Sequence, residues 1–475
     1  MIKRISASII GCCLLILLGA LPAANALPQM SYTLDPMYGY KIPIPLTYTV
    51  DNVILDVGEP GLNKPSDLFI DEKGQLYVAD TDNNRIVKLS SDGKVLGIFG
   101  KEQGVELDQP SGIFVDSLGD MFVADTGSGK VIHLSPEGKL VEEFVKPESS
   151  LLSEDLEFAP DKVIMDRRGY LYVLNKTDYS GFMMIDAMNR FRGYIGANRV
   201  PFDWKKLLIR LLATPEQREQ LNNAVPQQNS NMTMDSKGFI YAPTVLSDGD
   251  QIKKFNAMGE NIYTKKFFGE SSIESGTLER PYFADLAIDQ YGIINALDAM
   301  SRKIYQYDQE GNLLAVFGGQ GDAKSRFEYP SSIVVDKAGT IYVLDRDRNN
   351  IQMFKPTRFA ELVHEASQLH YNGRYQEALV PWKEVLKIDE NYPLAHRGVA
   401  KALMKEEKWK EAMKEFKLGE DQDGYSKAFA EYRHDFMRQY LGWILIAAVL
   451  IVYVIYLIVR FMIRITNTVI RRYGY

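Results

Sequence analysis

Phe69-Ile70-Asp71-Glu72-Lys73-Gly74-Gln75-Leu76-Tyr77-Val78-Ala79-Asp80 decides the fold. An apolar alternation runs into Asp-x-x-Gly and emerges as a second alternation. The aspartate returns six times, as Asp71, Asp116, Asp166, Asp235, Asp289 and Asp336, each with a glycine three residues on (Gly74, Gly119, Gly169, Gly238, Gly292, Gly339). The spacings are 45, 50, 69, 54 and 47 residues, so insertions stretch the period without removing a copy. Each copy reads as strand, tight turn, strand. A third strand follows, such as Arg85-Ile86-Val87-Lys88-Leu89, and Asp92-Gly93 turns into a fourth, Val95 to Phe99. Four short antiparallel strands at this period predict an all-β propeller of six blades over residues 47–356. The last copy lacks a fourth strand before Pro356, and Thr47 to Leu55 is an unassigned apolar run. That run is expected to pair beside residues 351–354 and close the ring, which removes a free edge.

The units resemble NHL repeats over about residues 60–355. The residues that carry the likeness are the leading prolines (Pro65, Pro110, Pro160, Pro330), the Asp-x-x-Gly turn, Tyr77-Val78-Ala79-Asp80 and Asn84-Arg85-Ile86. It is strongest in copies one, two and six, and Asn175 and Thr244 replace the second aspartate in copies three and four.

The first 26 residues read as a signal peptide: Lys3 and Arg4, an uncharged run, then Ala24-Asn25-Ala26. Cys12 follows Ile9-Ile10-Gly11, a loose lipobox, but the apolar run continues past it. Both cysteines, Cys12 and Cys13, lie here, so a processed chain holds neither disulfides nor cysteine-based metal sites. Residues 27–46 are expected as a linker. Tyr440 to Val459 is 20 residues without a charge, the length of a membrane span. Arg460, Arg464, Arg471 and Arg472 in the tail 460–475 would be cytoplasmic by the positive-inside rule. The expected topology is single-pass in a bacterial plasma membrane, with the N-terminal bulk outside at the cell surface. The formal charge is −7; Lys3 and Arg4 give +2 and the tail arginines +4, leaving −13 on residues 27–459. So acidic an exterior argues against nucleic acid as a partner.

Residues 359–425 change to Glu, Lys, Ala and Leu at helical spacing. A period of 34 relates Ala366 to Ala400, Leu369 to Leu403, Tyr375 to Trp409, Ala378 to Ala412 and Trp382 to Phe416. This resembles two tetratricopeptide repeats. Two stacked units need a cap, expected in 426–439, where Phe429, Tyr432, Phe436 and Tyr440 lead into the span without a breaker. One continuous helix from about Ser426 to beyond Val459 is the expectation, acting as a passive stalk or as a rigid coupling.

Candidate sites lie on the ring. Four residues before each anchor aspartate stand Asp67, Gly112, Lys162, Asn231, Asp285 and Ser332, which should surround the channel mouth. Asp67, Asn231 and Asp285 offer oxygens to Ca²⁺, as a partial resemblance to six-bladed lactonases implies, but Lys162 in the same ring opposes a cation; the alternative is a solvated polar mouth. A second set, Asp80, Asp125, Asn175, Thr244, Asp298 and Asp345, suits turn hydrogen bonds. Tyr179 and Tyr282 join the ligand-face candidates. The insertion 197–228 carries Trp204, Leu207, Leu208, Leu211 and Leu212 at helical spacing, either docking a partner or packing on the propeller. Trp382 and Trp409 are further partner-docking candidates. The chain has five histidines and only His133 lies in the propeller, too few for a zinc centre or a Ser/His/Asp triad. No catalytic residue and no cofactor beyond that Ca²⁺ is expected. Three readings stay open: a scaffold engaging partner proteins of an envelope or transport complex, a Ca²⁺-dependent lactonase or esterase, and a glycan-binding sensor.

Overall fold

The computed structural model describes residues 30–197, 227–274 and 277–473, apart from 36–38, 56, 246 and 248. Residues 1–26 and the insertion residues Trp204, Leu207, Leu208, Leu211 and Leu212 lie outside them. The chain divides into two compact units, one ending at Tyr371 and one starting at Asn372.

The first unit is the six-bladed β-propeller. Blade one is Asp67–Ile70, Leu76–Asp80, Arg85–Leu89 and Val95–Phe99, hydrogen-bonded in that order. Blade two is Pro110–Val115, Met121–Asp125, Lys130–Leu134 and Leu140–Phe144; blade three is Pro160–Met165, Leu171–Asn175, Phe182–Ile185 and Phe191–Ile195. Blade five is Phe283–Ile288, Ile294–Asp298, Lys303–Tyr307 and Leu313–Gly318. Blade six is Pro330–Val335, Ile341–Asp345 and Asn350–Pro356, completed by Tyr48–Ile54. The register of that closure runs from Ile351 opposite Ile54 to Pro356 opposite Tyr48. The run between Thr47 and Leu55 thus closes the ring where expected.

Blade four departs from the four-strand pattern. Its sheet holds Thr233–Met234, Ile240–Pro243 and Ile252–Phe255. The chain after it stays alongside through single bonds, Ile262 N–H to Lys254 O (2.8 Å) and Asp250 N–H to Lys266 O (2.5 Å), without a regular ladder. Residues 27–46 are also more than a linker. Ser31–Leu34 and Lys41–Ile44 form a hairpin that extends blade five, with Tyr32 opposite Val316. The Tyr32 hydroxyl donates to Glu270 and accepts from Lys303 Nζ (2.9 Å), which fastens the added edge.

All six anchors make the same turn. The carboxylate of Asp71 accepts the N–H of Lys73 (2.9 Å) and Gln75 (2.8 Å), and Gly74 takes φ 78°. Asp116, Asp166, Asp235, Asp289 and Asp336 repeat the pair of bonds. The cores sit between neighbouring blades. Ala79, Phe99, Ile113 and Val123 join blades one and two, and Val78, Val87, Leu344 and Ile351 join blades one and six. Helix α1 (Arg358–Tyr371) belongs to this unit and buries Ala360 with Tyr48, Phe317 and Phe354.

The second unit is α2 (Tyr375–Ile388), α3 (Pro393–Lys405), α4 (Trp409–Leu418) and α5 (Gln422–Tyr473). Consecutive helices pack on each other. Pro393 stands at the first position of α3, where its missing N–H costs nothing. Ala366, Ala378, Ala400 and Ala412 are all fully buried, as are Trp382 and Phe416. Three of the five pairs related by the 34-residue period are therefore buried at both positions, while Leu369, Leu403, Tyr375 and Trp409 are half-buried. Helix α5 runs 52 residues without interruption, through Arg438–Leu441. It is the one helix among the described residues long and apolar enough to cross a membrane, and its apolar stretch is exposed throughout.

Candidate functional site at the channel mouth

The starts of the inner strands bring Asp67, Lys162, Asn231 and Asp285 together around a channel cavity of about 310 Å³, with the Ser332 hydroxyl 2.7 Å from Asp285 and 3.3 Å from Asp67. All five side chains are buried. Lys162 Nζ lies 2.6 Å from Asp67 Oδ1. The two belong to blades three and one, and the blade-two ring position between them is Gly112. A Cβ at Gly112 would come within 2.6 Å of Asp161 O and 3.0 Å of Lys162 Cα. The glycine lets blade three approach closely and leaves the lysine room to reach across. Asp67 Oδ2 accepts the Ile113 N–H at 2.9 Å. Across the ring, Asp285 Oδ1 accepts from Asn231 Nδ2 and from Leu286 N–H, both at 2.7 Å. Asp285 Oδ2 accepts the Ser332 hydroxyl (2.7 Å) and the Ile333 N–H (2.8 Å). The Ser332 hydroxyl also lies 3.3 Å from Asp67 Oδ1, linking the two carboxylates.

The electrostatics follow from burial. Desolvation, with Asp67 adding repulsion, pushes the Asp285 carboxyl up to about 7 against the opposing pull of Lys162. Burial alone would lower the Lys162 ammonium, but Asp67, Asp161 and Asp285 hold it above its ordinary value. Lys162 is thus the resident cation of the ring. Ca²⁺ asks for six to eight oxygens. Here the carboxylate oxygens already meet an ammonium, an amide, a hydroxyl and backbone N–H groups, and Asn231 Oδ1 accepts the Met232 N–H at 2.7 Å. Asp67, Asn231 and Asp285 do not fit a divalent ion. Among the described residues no three or more His, Cys, Asp or Glu side chains gather as a metal site.

The remaining candidates are scattered. Tyr282 is half-buried, and burial raises its hydroxyl pKa, with Tyr329 and Asp161 adding and Lys162 opposing. Tyr179 is exposed on a blade-three loop and does not line the channel cavity. The second aspartate set fixes loops. Asp80, Asp125, Asn175, Asp298 and Asp345 each accept a backbone N–H, from Asn63, Asp108, Ala159, Tyr282 and Tyr329, at the loop that leads into the same blade. Trp382 is buried core rather than a docking side chain, packed against Gly398. Trp409 is half-buried, with Nε1 donating to Asp435 Oδ2 at 2.7 Å. His133 stacks on Phe122 at 4.4 Å.

Sequence reasoning missed one buried pair. In copies one, three, four and six a tyrosine (Tyr77, Tyr172, Tyr241, Tyr342) donates to the second oxygen of the anchor aspartate. Copy five has Asn295 in that place, and Asp289 Oδ2 faces His364 Nδ1 of α1 at 3.4 Å. The exchanged tyrosine was the only available signal.

The family model described as "SMP-30/Gluconolactonase/LRE-like region" matches residues 67–153. NHL repeat-containing protein 3 of Homo sapiens is 24% identical over 140 residues, covering 26% of this chain and 40% of that protein. The Mus musculus protein of the same name is 35% identical over 109 residues, covering 22% and 31%. The chain therefore spans well under half the length of either relative. Among solved structures, a streptogramin B lyase is 12% identical with a TM-score of 0.43, covering 66% of this chain and 98% of that one. A virginiamycin B lyase from Staphylococcus aureus is 12% identical with a TM-score of 0.40, covering 69% and 88%. Repeated turns, blade count and matched segment agree that the chain carries an SGL/NHL-like six-bladed β-propeller.

Proposed function

We propose that this protein is a binding scaffold anchored in a bacterial plasma membrane by α5, with propeller and helices on the extracytoplasmic side engaging partner proteins of an envelope or transport complex. The observation that carries this reading is that the carboxylates at the channel mouth are already bonded within the ring. Asp67 and Asp285 spend their oxygens on Lys162, Asn231, Ser332 and backbone groups, so the ring holds blades together and offers a substrate little. Support for the anchor is the length and exposure of α5 and the arginines that follow its apolar stretch. The buried alanines at a 34-residue period support tetratricopeptide-like repeats, a partner-binding architecture.

The test is crosslinking in native membranes with the full chain and with a chain lacking residues 375–418. A discrete membrane complex lost on deletion is expected. Hydrolysis is the second reading, favoured by one observation, a buried carboxyl at about 7 in a channel. Turnover of lactones or esters by the purified chain, abolished by Asp285→Ala, would establish it and overturn the scaffold. Glycan affinity without turnover, lost in Tyr282→Ala, would establish a sensor instead.

A further inference from the structure

Helix α4 runs antiparallel to the first half of α5: Phe416 packs on Gly424, while Trp409, at the other end, bonds Asp435. The end of the pair nearer the apolar stretch encloses a cleft of about 390 Å³. Trp409, Tyr432, Phe436 and Tyr440 wall it, and Lys410 Nζ sits 5.2 Å from the centre of the Tyr432 ring. The three α5 rings form a ladder, with centroids 6.3 Å and then 4.9 Å apart. Phe436 and Tyr440 stay over 40% exposed, which is unusual for a ladder of this size on a soluble helix.

Position gives the cleft its meaning. Tyr440 both lines the cleft and begins the run without charges. At 1.5 Å per residue, Phe436 lies about 6 Å and Tyr432 about 12 Å further from the apolar stretch. The interfacial layer outside a hydrocarbon core is roughly 5–7 Å thick on each side. A cleft starting at Tyr440 therefore crosses the headgroup layer, where Trp and Tyr partition. Its charges come in both signs, Lys408 and Lys410 with Glu407, Glu411 and Asp435, the last already bonded to Trp409 Nε1. That mixture matches a headgroup carrying both a phosphate and an amine better than a purely anionic one.

We infer that this cleft binds one amine-bearing glycerophospholipid of the surrounding leaflet, phosphate toward Lys410, amine toward Glu407 and Glu411, glycerol and first methylenes against Trp409 and the ring ladder. The inference rests on the anchoring proposed above. Binding there would fix the helical unit at a set depth and tilt against the bilayer.

The experiment is native mass spectrometry of the full chain in detergent with equimolar phosphatidylethanolamine, phosphatidylglycerol and phosphatidylcholine. One retained phosphatidylethanolamine per chain is expected, at least fivefold over phosphatidylglycerol. Trp409→Ala and Lys410→Gln should each lower retention fivefold or more, while Trp409→Phe and the control Lys414→Gln stay within twofold. Equal retention of the three lipids, or indifference to both lowering variants, overturns the site. So does displacement by millimolar phosphoethanolamine, which would mean that the headgroup alone is read. A photo-crosslinker at position 409 that captures a discrete protein instead of lipid also overturns it. Alkaline carbonate extraction separates the two proposals: release from membranes sinks the anchor, whereas a chain that stays but ignores the variants sinks only the lipid site.

Discussion

His364 and Asp289 show how one substitution within a repeat changes the chemistry of a site. Burial raises the Asp289 carboxyl to about 7 and lowers the His364 imidazole to about 4. Between those values the folded pair holds one proton, on the carboxyl; the unfolded pair also holds one up to about 6.5, on the imidazole. Proton counts in the two states nearly match, so this pair makes stability almost flat with pH from about 4 to 6.5. His364→Phe breaks the balance. Asp289 alone then binds a proton in the folded state that it releases on unfolding, so stability is full below about 4 and falls as pH rises towards 7. Urea denaturation across that range should show a loss of a few kcal/mol, on the order of one per pKa unit, in the variant and little slope in the parent. The pair was not legible in the sequence, because a helix from outside the repeats supplies the histidine. The Asp-x-x-Gly turns were legible, because each anchor bonds only to residues two and four places on.

At the scale of elements, close approach decides what sequence can reveal. The period of 34 found the buried alanines and matched Trp382 to the buried Phe416, yet Trp382 also stood among the docking candidates, although the helix crossing needs it inside. Its indole packs on Gly398, where an added Cβ would have no room. Gly398→Ala should therefore destabilise the helical unit by about 1–3 kcal/mol as an overpacked crossing, although alanine is the better helix former. Circular dichroism melting of the full chain in detergent checks this, and an unchanged melting temperature would mean that α2 and α3 can separate freely. Channel-mouth membership was legible for the same reason as the turns: a constant offset from each anchor puts Asp67, Lys162, Asn231, Asp285 and Ser332 at one level. Their bonding was not, since which partner Lys162 selects depends on the missing side chain at Gly112.

At the scale of the whole molecule, the ring's closure was readable from a deficit in the last copy and a surplus before the first. The hairpin on blade five was not, because residues 31–44 carry no repeat signature, and among the described residues its strand register with blade five is the single pair Tyr32 and Val316. Removing Thr47 to Leu55 would leave Asn350–Pro356 as an open edge over seven residues. Such a chain should assemble into high-mass species on size-exclusion chromatography, while the intact chain elutes as a discrete peak; a discrete peak for both would show that blade six does not need its borrowed strand.

Ile54 meets Ile351 across the seam, roughly 300 residues later in the chain. At about 5–20 residues per second, a ribosome takes roughly 15–60 seconds to cover that distance. The first segment must wait all that time with its hydrogen-bonding edge unspent, and blades one to five can form before it is used. Biogenesis of this protein therefore has a built-in interval in which a nascent chain is nearly complete yet still open at one seam, a window for a holdase to guard and for a protease to inspect.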